Sequence, residues 1–197
     1  MAYVAGVDEA GRGPWAGPVA VAAVILDENN PIAGLNDSKK LSAITRDILY
    51  DLIIANALAC SVTFVKVPTI DRINIREATL LGMQRTIQYL SVSPDLVLID
   101  GKDAPPMPCK AEAIIKGDTK VASIAAASIL AKVTRDRFMV RLGKAYPLYG
   151  FAQHKGYGTK QHQEALDKYG VTVHHRKSFA PIRKLLQNNL QDLTVER

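Results

Sequence analysis

The uninterrupted apolar run at residues 96–99, framed by Asp95 and Asp100, constrains the fold more than any other segment. A strand with one face in water alternates apolar and polar residues, whereas a strand that is apolar throughout must be covered on both faces. The run therefore predicts a buried strand with other elements packed on each side of its sheet.

Turn residues and apolar periodicity divide the rest of the chain into strands and helices. The predicted strands are residues 3–8, 19–26, 60–67, 95–100 and 111–116. The predicted helices are residues 42–58, 73–90, 119–145, 160–168 and 179–188. We expect Ser42 to cap the first helix, whose apolar face would be formed by Ile44, Ile48, Leu52 and Ala55. A hairpin at the start, with helices inserted between later strands, indicates an α/β domain with a five-stranded mixed sheet flanked by helices.

The length of 197 residues fits one buried core rather than two domains. We expect one catalytic domain over residues 1–197, with a core to about residue 178 and a small helical C-terminal extension from about residue 179. No apolar run approaches the roughly 18 to 20 residues of a membrane helix, and the N-terminus lacks a signal-peptide pattern. Cys60 and Cys109 are far apart and outside any C-x-x-C spacing. These features predict a cytoplasmic protein with no membrane partner, disulfide or zinc site, and we expect it to be a monomer.

Most of the formal charge of +6 lies towards the C-terminus, where residues 150–185 carry seven basic side chains and two acidic ones. The basic residues are Lys155, Lys160, Lys168, Arg176, Lys177, Arg183 and Lys184. Such a cluster favours a phosphate-binding face. A solvated basic surface without a partner is the alternative, and charge alone does not exclude it.

Acidic residues stand at the ends of several predicted strands. Asp8 and Glu9 end the first strand, Asp100 ends the fourth, and Asp118 lies between the fifth strand and the long helix. If the first and fourth strands are neighbours, these carboxylates meet at one edge of the sheet, where they would repel one another unless a cation lies among them. Carboxylate oxygens suit Mg²⁺ or Mn²⁺, and two such ions about 3.5–4 Å apart can promote hydrolysis of a phosphodiester.

Each acid also has an ordinary structural interpretation. Asp118 could cap the following helix, and Asp100 could be a turn residue before a glycine. Successive strand residues point to opposite faces, so Asp8 and Glu9 can share a site only where the strand ends or bulges. We assign Asp136 to a surface pair with Lys132, one helical turn earlier, rather than to the site.

Six sequence blocks occur in a characteristic order between residues 8 and 179. They are DEAGRGP at 8–14, DSKKL at 37–41, LIDG at 98–101, KGD at 116–118 with AAASILAKV at 125–133, HKGYGT at 154–159 and HRKSF at 175–179. In these blocks the chain resembles the type 2 ribonucleases H, the family of bacterial ribonuclease HII. The resemblance implies a ribonuclease H-like fold.

The same resemblance implies an activity and its residues. Asp8, Glu9, Asp100 and Asp118 would be the catalytic acids that bind Mn²⁺ or Mg²⁺, two ions with substrate and no small-molecule cofactor. The partner would be an RNA–DNA hybrid or duplex DNA that contains ribonucleotides. Cleavage would occur on the 5′ side of a ribonucleotide, leaving 3′-hydroxyl and 5′-phosphate ends, and would serve repair and primer removal.

Substrate contacts are implied in the same way. The loop of Gly11, Arg12 and Gly13 would contact the 2′-hydroxyl, and Tyr157 would pack against a sugar. Phosphates would be bound by Ser38, Lys39 and Lys40. Two alternatives remain open: another nuclease of the same fold, such as a junction resolvase or an RNA-only nuclease, and a non-catalytic nucleic-acid-binding module.

Overall fold

One mixed sheet forms the centre of the computed structural model, which describes residues 2–195, with side chains as far as residue 188. Its strands are β1 (Val4–Ala10), β2 (Val19–Ile25), β3 (Ala59–Val65), β4 (Leu96–Asp100) and β5 (Lys110–Ile114). They are ordered β3-β2-β1-β4-β5. Pairing is antiparallel between β1 and β2 and between β2 and β3, and parallel between β1 and β4 and between β4 and β5. The predicted α/β class and the five-stranded mixed sheet are confirmed.

Helices connect and cover these strands. Within the described residues they are α1 (Ala43–Asn56), α2 (Val67–Gln88), α3 (Ala122–Ala145), α4 (Phe151–His154), α5 (Lys160–Tyr169) and α6 (Ala180–Val195). Helix α2 starts earlier than predicted, with Pro68 in its first turn, and is interrupted at Asn74, where φ is 65°. Helix α3 starts later than predicted because a 3-10 turn, Gly117–Thr119, precedes it. Helix α6 continues past its predicted end at residue 188.

The sheet is covered on both faces, by α3 over β1 and β2 and by α2 over β2 and β3. Helix α3 approaches closely because Gly6 has no side chain: a Cβ at that position would lie 2.1 Å from the backbone carbon of Ser123. Alanines 125, 126, 127 and 131 of α3 are buried on this side. Small residues therefore set the distance between this helix and the sheet.

The apolar run of β4 is covered less completely than predicted. Val97 and Ile99 are fully buried on one face, whereas Leu96 and Leu98 on the other are partly exposed. The reason is that α3 crosses β1 and β2 rather than β4. The strand that is buried on both faces along its whole length is β2.

Helix α1 buries a different face from the one predicted. Ser42 is its N-cap, as expected, and its Oγ accepts a hydrogen bond from the Thr45 amide at 3.1 Å. The buried residues, however, are Leu49 and Ile53, which pack beneath α3. The predicted apolar face is exposed, with Ile44 at 75% and Ile48 at 57%. Two apolar stripes run along this helix, and contact with α3 selects the other one.

One residue of the predicted basic face is not at the surface. Arg176 has no exposed area, because its guanidinium group donates hydrogen bonds to backbone carbonyls inside the protein. The other six basic residues of that segment are exposed or partly exposed. No helix among residues 2–195 has both the length and the apolar character that crossing a bilayer requires.

Candidate active site

The pairing of β1 with β4 places two of the predicted acids side by side. The last registered pair of these parallel strands is Val7 with Ile99, so the next residues are Asp8 and Asp100. Beyond β5, the 3-10 turn brings the amide of Gly117 to Asp100 Oδ1 at 2.7 Å and places Asp118 next in the chain. Three separate segments therefore deliver acids to one edge of the sheet.

Asp8 and Glu9 lie inside β1 rather than at its end, because regular pairing with β2 continues to Ala10. Successive residues of a regular strand point to opposite faces of the sheet, so these two acids would be expected to lie apart. Both residues line the same cavity of about 290 Å³, and the Glu9 amide donates a hydrogen bond to Asp8 Oδ1 at 2.7 Å. Asp8 and Glu9 thus border one cavity although the regular strand continues past them.

The acids are arranged so that their charged forms are disfavoured. Burial, then the negative charges of Glu9 and Asp100, raise the pKa of Asp8 well above its usual range. Burial also raises the pKa of Glu9, although Arg12 opposes this effect through a contact at 3.3 Å. Burial, then Asp100 and Asp37, raise the pKa of Asp118. A cation among these groups would reverse the balance, because it stabilises the ionised forms.

The donor set fits a hard divalent cation. Glu9 Oε2 is buried and accepts no hydrogen bond from the described residues, which leaves it available as a ligand. Asp8 and Asp118 are also buried and supply further carboxylate oxygens, the ligand type that Mg²⁺ and Mn²⁺ prefer. Among the side chains described, those of residues 2–188, no three acidic or other metal-ligating groups already surround a common point. Ligation by three of these acids therefore requires their side chains to turn towards one another.

The structure also tests the ordinary interpretations of these acids. Asp118 does not cap α3, because the N-cap of that helix is Val121 and no side chain caps it. Asp100 does have a structural contact, the hydrogen bond from Gly117, but only one of its two oxygens is used in it. Asp136 forms the expected pair with Lys132 at 2.9 Å.

The loop of Gly11, Arg12 and Gly13 forms one wall of the cavity. Gly11 adopts a φ of +93°, and a Cβ there would lie 1.9 Å from Arg135 Nε, so only glycine fits. Gly13 faces the ring of Tyr157, since a Cβ at Gly13 would be 3.6 Å from Tyr157 Cε1. The loop and the tyrosine predicted to contact sugars therefore lie together beside Asp8 and Glu9.

The three residues predicted to bind phosphate differ from one another in burial and in their position relative to the cavity. Ser38 is buried in the cavity lining, where its Oγ accepts a hydrogen bond from Ser128 Oγ at 2.8 Å and keeps its own proton to donate. Lys39 is exposed and also lines the cavity. Lys40 is exposed but is not part of the lining.

Four residues near the acids were not predicted from the sequence. Ser128, Lys132 and Arg135 line the cavity from α3, and Asp37 lies against Asp118. The spacing of the first three, four and then three residues, places them on one helical face, which is a signal that the sequence contains. Asp37 belongs to the DSKKL block but has no feature that would distinguish it from a turn residue.

Comparisons with known proteins agree with this geometry. A family model described as Ribonuclease HII matches residues 5–182. Ribonuclease HII 1 from Methylibium petroleiphilum is 59% identical over 186 residues, 94% of each chain. The crystal structure of ribonuclease H2 from Pyrococcus horikoshii OT3 is similar with a TM-score of 0.81 at 29% identity, covering 94% of this chain and 97% of that one. Bst-RNase HIII, solved in complex with Mn²⁺, has a TM-score of 0.76 at 22% identity, covering 94% of this chain and 70% of that one, which shows the fold.

Proposed function

The chain belongs to the ribonuclease HII family and is a ribonuclease H that acts on RNA–DNA hybrids, and on this basis we propose that it also cuts duplex DNA beside single ribonucleotides. Cleavage on the 5′ side of the ribonucleotide leaves 3′-hydroxyl and 5′-phosphate ends, as repair and primer removal require. One observation carries the proposal: Asp8 and Glu9 share a cavity with the Gly11–Gly13 loop and Tyr157. Phosphodiester chemistry and ribose recognition thus lie in one place.

Asp8, Glu9, Asp100 and Asp118 are the groups that hold two divalent cations, Mn²⁺ or Mg²⁺. Bound there, these ions supply the activation of a water molecule and the stabilisation of the leaving oxygen. Two features support this assignment: the unpartnered Oε2 of Glu9 and the raised pKa values of Asp8 and Glu9, both of which a cation would offset. A Mn²⁺ complex of a protein with the same fold is consistent with it.

The remaining residues position the duplex. Lys39, at the cavity, and Lys40, outside its lining, suit successive phosphates of one strand, while Ser38 can donate its hydroxyl proton to the nearer one. The Gly11–Gly13 loop brings backbone close to the ribose, and Tyr157, 47% exposed, offers a ring face for the adjoining sugar. The 2′-hydroxyl is the group by which such a site distinguishes RNA from DNA.

The decisive experiment is cleavage of an end-labelled DNA duplex that contains one ribonucleotide, with Mn²⁺ or Mg²⁺. A single cut on the 5′ side of the ribonucleotide is expected, and none in the all-DNA duplex of the same sequence. Cleavage of a four-way junction or of single-stranded RNA in preference to this duplex would favour a different nuclease of the fold. Absence of Mn²⁺ binding in calorimetry, with and without hybrid, would favour a non-catalytic binding module.

A further inference from the structure

Two buried arginines hold the backbone of the loop that forms the cavity wall. Arg135 is 1% exposed and Arg176 is fully buried. Arg176 donates hydrogen bonds to the carbonyls of Gly11 at 2.6 Å, Arg12 at 2.8 Å and Gly17 at 2.9 Å. Arg135 donates hydrogen bonds to the carbonyls of Pro18 at 3.0 Å, Ala16 at 3.2 Å and Lys155 at 3.0 Å. All six acceptors are backbone oxygens, and five belong to residues 11–18.

Neither arginine is neutralised by an ion pair with a carboxylate in the described part of the chain. Burial lowers the pKa of Arg135 to about 10 and that of Arg176 to about 9, the latter also through the charge of Arg135. Both therefore remain protonated at neutral pH. Asp136 favours the charged form of Arg135 and Asp71 that of Arg176, but only from a distance. Burial of two like charges without a direct acidic partner is costly, and apolar residues would fill the same space at lower cost. The arrangement thus calls for a role beyond packing.

The hydrogen bonds of Arg176 fix which way two peptide groups face. In a trans peptide the N–H points away from the carbonyl of the same plane. Because the carbonyls of Gly11 and Arg12 point to Arg176, the amides of Arg12 and Gly13 point away from it. Neither amide donates a hydrogen bond to a backbone carbonyl among residues 2–195 or to a side chain among residues 2–188. Two donors are therefore left free in the loop that lines the cavity.

Arg135 connects this loop to Tyr157. Its Nη1 holds the Lys155 carbonyl, and its Nη2 holds that of Ala16. The next residue, Gly156, accepts a hydrogen bond from the Trp15 amide at 2.8 Å. A Cβ at Gly156 would lie 2.5 Å from the Ala16 carbonyl oxygen, so the two loops are in close contact. The position of Tyr157 relative to Gly13 thus depends on Arg135.

We infer that Arg135 and Arg176 are positioning residues for recognition of the ribose 2′-hydroxyl. They turn the free amides of Arg12 and Gly13 towards the substrate and hold Tyr157 at a fixed distance from them. This inference rests on the proposed function. In it, the two arginines contribute to the discrimination between ribose and deoxyribose rather than to the general affinity for duplex. Preorganised backbone donors of this kind are effective because they need no rearrangement when the substrate binds.

The test compares Arg176→Lys with wild type and with Arg85→Lys, an exposed arginine of α2 that serves as a matched control. Lysine keeps the charge but cannot bond three carbonyls in a fixed plane. Single-turnover cleavage is measured at one ribonucleotide in duplex DNA and at a 2′-fluoro analogue in the same position. The affinity for the all-DNA duplex and the melting temperature are measured in parallel.

For Arg176→Lys we expect cleavage at the ribonucleotide to slow by about tenfold to a hundredfold, because a small displacement of the bound ribose misaligns the reacting groups. The preference for ribose over 2′-fluoro should shrink, while affinity for the all-DNA duplex changes less than about twofold. An unchanged preference would overturn the inference, as would a parallel fall of both cleavage rates, affinity and melting temperature. If wild type itself shows no cut at the ribonucleotide, the proposed function fails, and the inference that rests on it fails as well.

A second measurement needs no substitution, so it remains decisive if the variant does not fold. The amide resonances of Arg12 and Gly13 are followed in wild-type protein, with a chelator present to prevent cleavage. Addition of the duplex with one ribonucleotide should shift both resonances more than addition of the all-DNA duplex. Equal shifts with the two duplexes would overturn the inference.

Discussion

The amide of Gly117 donates a hydrogen bond to Asp100 Oδ1 at 2.7 Å, and this contact ties the end of β4 to the turn that carries Asp118. A Cβ at Gly117 would come within 2.6 Å of Ile124 Cδ1, so the turn is also held from behind by α3. Asp100 keeps its second oxygen for other partners. One oxygen of Asp100 thus has a structural role, while the other is available for the metal binding that we propose.

The substitution Asp100→Asn separates the hydrogen bond with Gly117 from the proposed role in metal binding. Asparagine keeps an oxygen that can accept from Gly117, but it lacks the negative charge. We expect the melting temperature to be maintained, because repulsion with Asp8 and Asp118 is relieved. Cleavage should fall by at least about a hundredfold, since even outer partners of a metal site contribute 10- to 100-fold. Near-normal cleavage by the folded variant would contradict the assignment, and Asp8→Asn should behave in the same way.

Removal of divalent metal should abolish cleavage without unfolding the protein. Because the pKa values of Asp8 and Glu9 are raised, bound cations must displace protons from these groups. We therefore expect Mn²⁺ to bind more tightly as pH rises through the acidic range and to raise the melting temperature of wild type. Calorimetry in two buffers of different ionisation enthalpy measures the released protons. Asp47→Asn, which alters an exposed acid paired with Arg137, should bind Mn²⁺ as wild type does.

Gly11 and Gly34 form a matched pair for testing the loop. Both have positive φ, +93° and +84°, but a Cβ at Gly11 collides with Arg135 whereas nothing lies within 4 Å of one at Gly34. Gly34→Ala should cost roughly 1 kcal/mol of unfolding free energy, from backbone strain alone. Gly11→Ala should cost about 2–4 kcal/mol, because overpacking is added. Denaturant titration compares them, and equal losses would show that the space around Gly11 is not restrictive.

Buried histidines behind Tyr157 predict a loss of stability in acid. The Thr172 amide donates to His175 Nδ1, so His175 Nε2–H donates to His162 Nε2 at 3.0 Å, and His162 Nδ1–H donates to the Tyr157 carbonyl. Burial lowers the pKa of both His162 and His175 to about 4. For His175 the neighbouring histidines lower it further, and His162 has the largest effect among them.

The sign of this effect follows from the ordinary histidine pKa of 6.5. As pH falls from 6.5 to about 4, these histidines bind protons in the unfolded chain but not in the folded protein. The free energy of unfolding therefore decreases. His162→Gln keeps a donor for the Tyr157 carbonyl but removes one titrating ring. We expect a shallower dependence of unfolding free energy on pH for this variant in denaturant titrations. The same slope as wild type would show that His162 is not neutral in the folded protein.

The exposed basic residues of α6 should contribute to duplex binding. Deletion after residue 178 would also remove Ile182, which is fully buried, so substitution is the cleaner test. Arg183→Gln combined with Lys184→Gln should weaken hybrid binding and reduce the slope of log affinity against log salt by up to about 2. Arg72→Gln combined with Arg85→Gln, on α2, is the control and should leave the slope unchanged. An unaltered slope in the α6 variant would limit the phosphate contacts to the cavity.

The acids could be predicted from the sequence because their position depends on local pattern. Asp100 ends the apolar strand β4 and Asp118 follows β5, and strand ends meet at the edge of a sheet. Asp8 lies two residues before the end of β1 and reaches the same edge by its pairing with β4. The buried face of α1 could not be predicted in this way. Ile44 and Ile48 follow the same helical period as Leu49 and Ile53, and only the position of α3 decides between them.

The two buried arginines show a second limit. Arg176 was counted with the surface charges, and Arg135 had no assigned role, because a basic residue among polar neighbours is normally exposed. Their partners are carbonyl groups, which every residue possesses, so no side-chain pattern marks them. Long-range contacts such as that of Arg176 with Gly11 are visible only once the chain is folded.

Gly6 determines how far α3 stands from the sheet, and α3 carries Ser128, Lys132 and Arg135 to the cavity. A methyl group at residue 6 would push that helix outwards, away from the strand that continues to Asp8 two residues later. The width of the cavity is therefore set at a position that does not line it. A larger residue at position 6 would move α3 away from β1 and so widen the cavity, although none of the four acids would itself be changed.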